Sequence, residues 1–232
     1  KTTVGYEELL PWLYPPTHQI LITPLALLSY KLAYGIFILI SLIAYIYSCN
    51  KIAKNNKTII LGAISFPAIY LCGIYGQNSI LTASIAILSI YYIKKRPLIS
   101  GLLVGLLATK PQLALVFPIV LLAGFHWKAI LSAIATQATL VIMSLYFLGK
   151  STWLAFFKTI EQPKQWMESG QLSWEDMIST FAFSKMLGAD TTIAYTIHLS
   201  VAALFIFVAI TVWNKSDNIN LRGSSLALAA LA

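Results

Sequence analysis

Long apolar runs separated by short polar loops make up most of the chain. The runs that are long enough to cross, or nearly cross, a bilayer are 31–49, 58–75, 79–93, 129–148 and 193–213. A last apolar run begins at Leu226 and continues to the final residue, Ala232. Repeated apolar runs of this length indicate helices, because a helix satisfies its own backbone hydrogen bonds in lipid. The pattern predicts an all-α fold, a polytopic transmembrane helix bundle.

Two shorter apolar runs, 98–109 and 113–125, meet at Lys110-Pro111. At 1.5 Å per residue, each covers less than the hydrocarbon core of about 30 Å. One interpretation is that both helices stop below the membrane surface and leave a recessed polar cavity. The other is that they are simply short, buried helices of the bundle core.

The segment from residue 20 to residue 49 is too long for one straight span and too short for two. Pro24 and the Ser29-Tyr30-Lys31 break divide it. We therefore expect a short interfacial helix over 20–29, followed by a true span.

The charges of the loops alternate from one side of the predicted bundle to the other. One side carries Lys51, Lys54, Lys57, Lys94, Lys95, Arg96, Lys128, Lys215 and Arg222, with Asp217 as its one acid. The positive-inside rule makes this side cytoplasmic. The other side, which holds the remaining acids and the long polar stretch 149–191, is then extracytoplasmic. The loop 214–223 is expected to be polar and cytoplasmic.

These assignments divide the chain into four parts. Residues 1–30 form an extracytoplasmic segment with a short interfacial helix, and residues 31–148 form transmembrane helices with short loops. Residues 149–191 form an extracytoplasmic loop with amphipathic helices. Residues 192–232 form a transmembrane helix, a cytoplasmic loop and the start of a further helix. Because the chain begins with Lys1 and ends inside an apolar run, we expect a fragment truncated at both ends.

Composition supports the membrane class. It argues against nucleic-acid binding and against a disulfide or metal site. The 232 residues are 58% hydrophobic and 10% charged, whereas soluble domains are about 45–50% apolar and about 25% charged. The net charge of +8 resides mainly in short loops, as topology signals do, so no nucleic-acid partner is expected. Cys49 and Cys72 lie at or within apolar runs, which argues against a disulfide or a metal site.

Three polar clusters interrupt the apolar pattern on the predicted extracytoplasmic side. They are Trp12 to His18, Gly76-Gln77-Asn78 and Lys110-Pro111-Gln112. Polar groups gathered at one membrane face are what an enzyme needs to act on lipid-borne substrates at the water boundary. A scaffold subunit has no need of them.

Several short motifs follow one another in a fixed order. They are Tyr14-Pro15-Pro16, Pro24 to Leu28 with Tyr30, Gly76-Gln77-Asn78, Arg96-Pro97, Gly101, Gly105-Leu106, Lys110-Pro111-Gln112 and Pro118. Ser179-Thr180-Phe181 with Leu187-Gly188 adds a weaker element. Over about residues 12–190 this order resembles glycosyltransferase family 87, a group of polyprenyl-phosphate-mannose-dependent mannosyltransferases.

The resemblance implies a GT-C fold and a hexosyltransferase that inverts the anomeric carbon. The implied donor is a polyprenyl-phosphate hexose, with mannose as the expected sugar. The implied acceptor is an extracytoplasmic glycolipid or glycan. The implied location is the cell membrane, such as a bacterial inner membrane, with an extracytoplasmic active face. No cofactor or metal is expected. The implied catalytic aspartate of the first outer loop should lie upstream of Lys1, since Asp176, Asp190 and Asp217 come too late in the chain.

Lys110 is the strongest candidate for substrate binding. Its ammonium can hold a donor phosphate as a point charge, and Gln112 adds a hydrogen-bond donor; the plain alternative is a snorkelling lysine. Gln77 and Asn78 can bind sugar hydroxyls, or they form an ordinary two-helix turn.

The first polar cluster supplies two further candidates. Tyr14 can stack on a sugar, or it belongs to the interfacial aromatic belt. His18 can bind phosphate or orient the acceptor, or it is simply solvated.

Glu7 and Glu8 are alternative candidates for the catalytic base. In the long polar stretch, Trp153, Trp166 and Trp174 indicate either an amphipathic lid or a loop anchored at the interface.

The alternative function is a transporter or flippase of lipid-linked saccharides. Such proteins place ionisable residues near the middle of the membrane and often contain internal repeats. The sequence shows no acid inside a predicted span and no clear repeat, and His198 is the one ionisable residue well inside one.

Overall fold

The computed structural model describes residues 14–231, apart from the side chains of 111–114, 176 and 231. Within these residues the fold is helical throughout, without strands. The α-helices are α1 Pro16–Ile22, α2 Tyr30–Ala53, α3 Lys57–Ile64, α4 Pro67–Ile74, α5 Ser79–Tyr92, α6 Pro97–Leu107, α7 Pro111–Ala123, α8 Trp127–Thr159, α9 Glu161–Ser169, α10 Thr180–Met186, α11 Thr191–Lys215 and α12 Ile219–Leu231. Short 3₁₀ turns lie at Thr23–Leu27 and Trp174–Asp176.

Three helical stretches are long and apolar enough to cross a membrane. They are Tyr30–Ala53, Trp127–Ser169 and Thr191–Lys215, and the bent pair α3–α4 provides a fourth candidate. The prediction of an all-α polytopic bundle is therefore confirmed. The helix before the first span is also present, but it begins at Pro16 and not at residue 20, because a proline fits the first helical position.

The run 58–75, which is expected to cross the membrane, forms two helices, α3 and α4, with a bend of 43° between them. The cause is Pro67, which removes a helical hydrogen bond and forces Phe66 into an extended conformation. The hydroxyl of Tyr34, near the start of α2, donates to the carbonyl oxygen of Gly73 near the end of α4. The pair therefore runs back along α2, as a broken span does.

The predicted polar loop 214–223 is also too long. Helix α11 continues to Lys215 and α12 begins at Ile219, so only residues 216–218 connect them. The carboxamide oxygen of Asn218 accepts from the amide nitrogens of Asn220 and Leu221, at 2.9 and 3.4 Å. Asparagine is a preferred residue at this capping position, so α12 starts earlier than polarity alone indicates.

The two short helices α6 and α7 contribute to the buried core. The core consists of Ile90, Ile93, Val104, Leu107, Val116, Phe117, Val120, Leu121, Ala129, Ala209, Trp213, Leu226 and Ala229. These residues come from six helices, so α6 and α7 are packed on several sides. Their shared junction at Lys110 nevertheless opens into a cavity, so both sequence interpretations of the pair describe part of the structure.

Helix α8 changes direction at Gly149, whose φ of 79° and ψ of 163° are not helical. Glycine adopts positive φ without the penalty that a Cβ imposes. The helical segment after Gly149 continues into α9, and both form one wall of the same cavity.

Candidate substrate-binding cavity

A cavity of about 1600 Å³ lies at one end of the bundle. Five of the six binding residues predicted from the sequence line it, namely Tyr14, His18, Gln77, Asn78 and Lys110. They come from three parts of the chain that are far apart in sequence. The side chain of the sixth, Gln112, lies outside the described part of the chain, as do Trp12, Glu7 and Glu8.

The start of α1 positions Tyr14 and His18 beside each other. Pro15 is extended, with ψ 159°, and Pro16 begins the helix, so Tyr14 folds back over the first turn. The Tyr14 and His18 rings stack, with centroids 4.4 Å apart. The Tyr14 hydroxyl donates to Oδ1 of Asn78 at 3.3 Å, which joins the first polar cluster to the second.

The turn between α4 and α5 presents the second cluster. Gly76 has φ +66°, a left-handed conformation that glycine adopts readily. After this turn the side chain of Gln77 is exposed and that of Asn78 is buried. One amide is therefore fixed by Tyr14 while its neighbour remains open to the cavity.

Lys110 occupies the junction between α6 and α7, outside the spanning helices. The following proline favours its extended conformation, with φ −109° and ψ 112°. The side chain is partly buried, and no acidic group or hydrogen-bond acceptor contacts its ammonium among the described residues. Burial lowers the pKa of Lys110, because removal of water disfavours the charged form.

His18 lies within electrostatic range of Lys110. Burial first, and the positive charge of Lys110 second, lower the pKa of His18 below its usual value of 6.5. Its imidazole is therefore neutral at neutral pH. A neutral imidazole offers one donor and one acceptor nitrogen.

The remaining walls of the cavity are mainly apolar. They are lined by Leu25 of the 3₁₀ turn, Leu28 just after it, Phe37 of α2, and Phe156 and Ile160 near the end of α8. The cavity thus has a polar end, at Lys110 and the α4–α5 turn, and an apolar side large enough for a hydrocarbon chain.

Gln19 and Trp166 also line the cavity, and Gln19 is not among the residues predicted from the sequence. The signal that could have found Gln19 is helical spacing. His18 and Ile22, like Gln19 and Thr23, are four residues apart, so the two pairs lie side by side on one helix surface, and all four residues line the cavity. Trp166 lies on α9, which is held to α11 by a hydrogen bond of 2.8 Å from the Tyr195 hydroxyl to Glu168. Helix α9 is therefore a fixed wall in this structure.

No carboxylate lies among the described residues that line the cavity, and the described chain contains no cluster of metal ligands. The described residues are thus suited to binding an anion and a polyol. The described lining residues include no acidic side chain that could deprotonate an acceptor.

Comparison with known proteins identifies a family. The sequence model of glycosyltransferase family 87 matches residues 12–232. No curated protein and no solved structure matches the chain. The matched range includes all five residues that the structure brings to the cavity.

Proposed function

The chain belongs to glycosyltransferase family 87 and is a membrane glycosyltransferase; we propose that it transfers a hexose from a polyprenyl-phosphate donor to a glycolipid or glycan acceptor. Mannose is the first donor sugar to test. The proposal places the reaction on the extracytoplasmic face, in the cavity around Lys110. It also implies the GT-C architecture, with inversion at the anomeric carbon.

The ammonium of Lys110, which forms no ion pair with the described residues, carries this proposal. An ion removed from water without a partner is unfavourable, so a protein retains one where a ligand supplies the opposite charge. The phosphate of a polyprenyl-phosphate sugar supplies that charge. Its polyprenyl chain fits the apolar side of the same cavity, along Leu28, Phe37 and Phe156.

The transfer breaks the bond between the anomeric carbon and the phosphate oxygen, and forms a bond from that carbon to an acceptor hydroxyl oxygen. The hydroxyl proton passes to a base outside the described cavity lining. Negative charge builds on the departing phosphate, where Lys110 stabilises it. In this proposal Gln77, Asn78 and Tyr14 bind sugar hydroxyls. A neutral His18 can accept or donate one hydrogen bond to the acceptor, and thereby orient it.

The two ends of the bundle differ in charge, which supports the proposed orientation. The turn after α2, the turn between α5 and α6, and the turn between α11 and α12 carry Lys51, Lys94 and Arg222 at the end opposite the cavity. Lysine and arginine in short loops resist translocation. The cavity then opens toward the extracytoplasmic side.

The transporter alternative has less support from the described structure. His198, the ionisable residue inside α11, shares a hydrogen bond of 2.9 Å with the hydroxyl of Thr180. It therefore joins α10 to α11, which gives His198 a structural role in the described fold.

The decisive experiment substitutes Lys110 in the full-length protein. Lys110→Gln keeps a similar length but removes the charge, and it should lower sugar transfer by about 10–1000-fold, the scale for one electrostatic contact in a transition state. Lys110→Arg should retain part of the activity, because the charge survives and the point-like geometry does not. The measurement is transfer from polyprenyl-phosphate mannose in membranes matched for protein amount.

Lys150→Gln is the matched control. Lys150 is exposed, follows Gly149 at the same end of the bundle, and does not line the cavity. Its loss should leave transfer nearly unchanged. Normal transfer by Lys110→Gln would make Lys110 a snorkelling anchor and remove the basis of the proposed site.

A further inference from the structure

A second cavity, of about 230 Å³, lies at the opposite end of the bundle. Three turns meet there, namely those after α2, between α5 and α6, and between α11 and α12. Tyr30 of α2 lines the first cavity and Lys51 lines the second. At 1.5 Å per residue, about 32 Å of helix separate these two residues, close to the thickness of a bilayer.

The second cavity has a strongly basic rim. Five cations, Lys51, Lys54, Lys94, Lys95 and Arg222, line it together with one carboxylate, Asp217. The charges come from three separate turns that the fold brings together. A set of lysines that served only as topology signals would not have to converge on one cavity.

Two of the five cations are already occupied. The Lys94 ammonium lies 2.5 Å from Oδ1 of Asp217. Arg222 is buried, and its guanidinium donates to the carbonyl oxygens of Trp213 and Ser216, both at 2.7 Å, and to Asp217 at 3.3 Å. Arg222 therefore fixes the turn between α11 and α12, and Asp217 balances part of the charge of Lys94 and Arg222.

The other three lysines have no acidic partner among the described residues. The ammonium of Lys51 lies 5.0 Å from the centre of the Tyr47 ring, and that of Lys95 lies 4.5 Å from the Tyr91 ring. Lys54 is exposed. These aromatic contacts hold two of the ammoniums in place without neutralising them.

The floor of the second cavity is apolar. Ile90 and Ile93 are buried there, and Ile52 and Ile219 complete the lining. A free inorganic anion gains nothing from isoleucine side chains. A molecule that joins an anionic head to a hydrocarbon body is complementary to both parts of the lining.

We propose that this cavity binds the headgroup of an anionic phospholipid, with its phosphate among Lys51, Lys54 and Lys95 and its glycerol and first acyl carbons against the isoleucines. Basic cavities between helix ends on the cytoplasmic side suit such headgroups. The bound lipid links the turn after α2 with the turn between α5 and α6, next to the turn that Arg222 fixes.

The test measures lipid binding to the purified protein by native mass spectrometry. Phosphatidylglycerol is compared with phosphatidylcholine of identical acyl chains, and inorganic phosphate is added as a competitor in a third arm. The unaltered protein should bind phosphatidylglycerol more tightly than phosphatidylcholine. Inorganic phosphate at the same concentration should not displace the lipid, because it cannot use the apolar floor.

The triple variant Lys51→Gln, Lys54→Gln, Lys95→Gln should lose most of this preference. The expected loss is about 5-fold per lysine, or about 100-fold for three. The control is Lys57→Gln, Lys128→Gln, Lys215→Gln, which removes the same charge from the same end of the bundle outside the cavity lining. It should keep the preference.

Three results would overturn the proposal. Equal losses in the two triple variants would show diffuse surface attraction in place of a site. Equal binding of the two lipids by the unaltered protein would remove the charge recognition. Displacement by inorganic phosphate at matched concentration would make the cavity a site for a free anion.

Discussion

Two basic side chains, His18 and Lys110, share the polar end of the large cavity. The described lining of the cavity contains no carboxylate. Burial and the neighbouring charge lower the pKa of His18, so the folded protein without ligand resists protonation there. An anionic donor would reverse this effect, because a phosphate near both groups favours their charged forms.

The pH dependence of stability follows from the direction of the pKa shift of His18. Since the pKa of His18 is lower in the folded than in the unfolded state, the unfolded state binds more protons as pH falls below about 6.5. Thermal stability without donor should therefore decline between pH 7.5 and pH 5.5. Ordinary carboxylates titrate below this pH range. His18→Gln should reduce the decline. The measurement is thermal unfolding in detergent at a series of pH values.

His126 is the comparison residue in this experiment. Burial, followed by the charges of Arg222 and Lys94, lowers its pKa too, and its buried Nε2 has no hydrogen-bond partner among the described residues. His126→Gln should remove a separate share of the decline, and the double variant should remove both. An unchanged decline in His18→Gln would mean that His18 is as hydrated in the folded state as in the unfolded state.

At the scale of elements, the contact between α6 and α8 holds the core together. A Cβ added at Gly101 would lie 2.2 Å from the carbonyl oxygen of Ala129, and one added at Gly105 would lie 2.5 Å from Cβ of Thr136. These two glycines, four residues apart, allow the helix backbones to approach closely, as small residues do in membrane proteins. The Gln137 side chain also donates to the carbonyl oxygen of Gly105 at 2.9 Å.

Substituting these glycines tests the contact. Gly101→Ala and Gly105→Ala should each destabilise the fold by about 1–3 kcal/mol, because the added methyl group forces the helices apart. Gly35→Ala is the control, since Gly35 lies within α2 and its added Cβ meets nothing within 4 Å. It should be neutral or stabilise by up to about 1 kcal/mol through helix propensity. The measurement is the unfolding temperature; equal effects at all three positions would contradict this packing.

At the scale of the whole molecule, apolar periodicity and loop charge predict the helices and the gathering of polar clusters at one end. Tyr14, Gln77 and Lys110 meet because alternating spans bring every second loop to the same side. Local signals account for the differences, since Pro67 divides the run 58–75 into two helices and Asn218 shortens the predicted loop 214–223. The walls of the cavity depend on how α8 and α9 pack, which no local pattern in the chain specifies.

The orientation of the molecule is the last prediction, and it decides which side each cavity faces. Single cysteines are introduced by Asn55→Cys, Lys95→Cys and Gln165→Cys, after Cys49 and Cys72 are replaced by serine. All three positions are exposed in the described structure, so access depends on the side of the membrane. Asn55 and Lys95 lie near the basic cavity, and Gln165 lies on α9 beside the large cavity.

In intact cells, a membrane-impermeant thiol reagent should label the cysteine at 165 and spare those at 55 and 95, because lysine-rich short loops remain cytoplasmic. Permeabilised cells should label all three, which controls for reactivity. Labelling at 55 and 95 but not at 165 would reverse both assignments. Sugar transfer would then occur on the cytoplasmic side, and the anionic lipid would have to come from the outer leaflet.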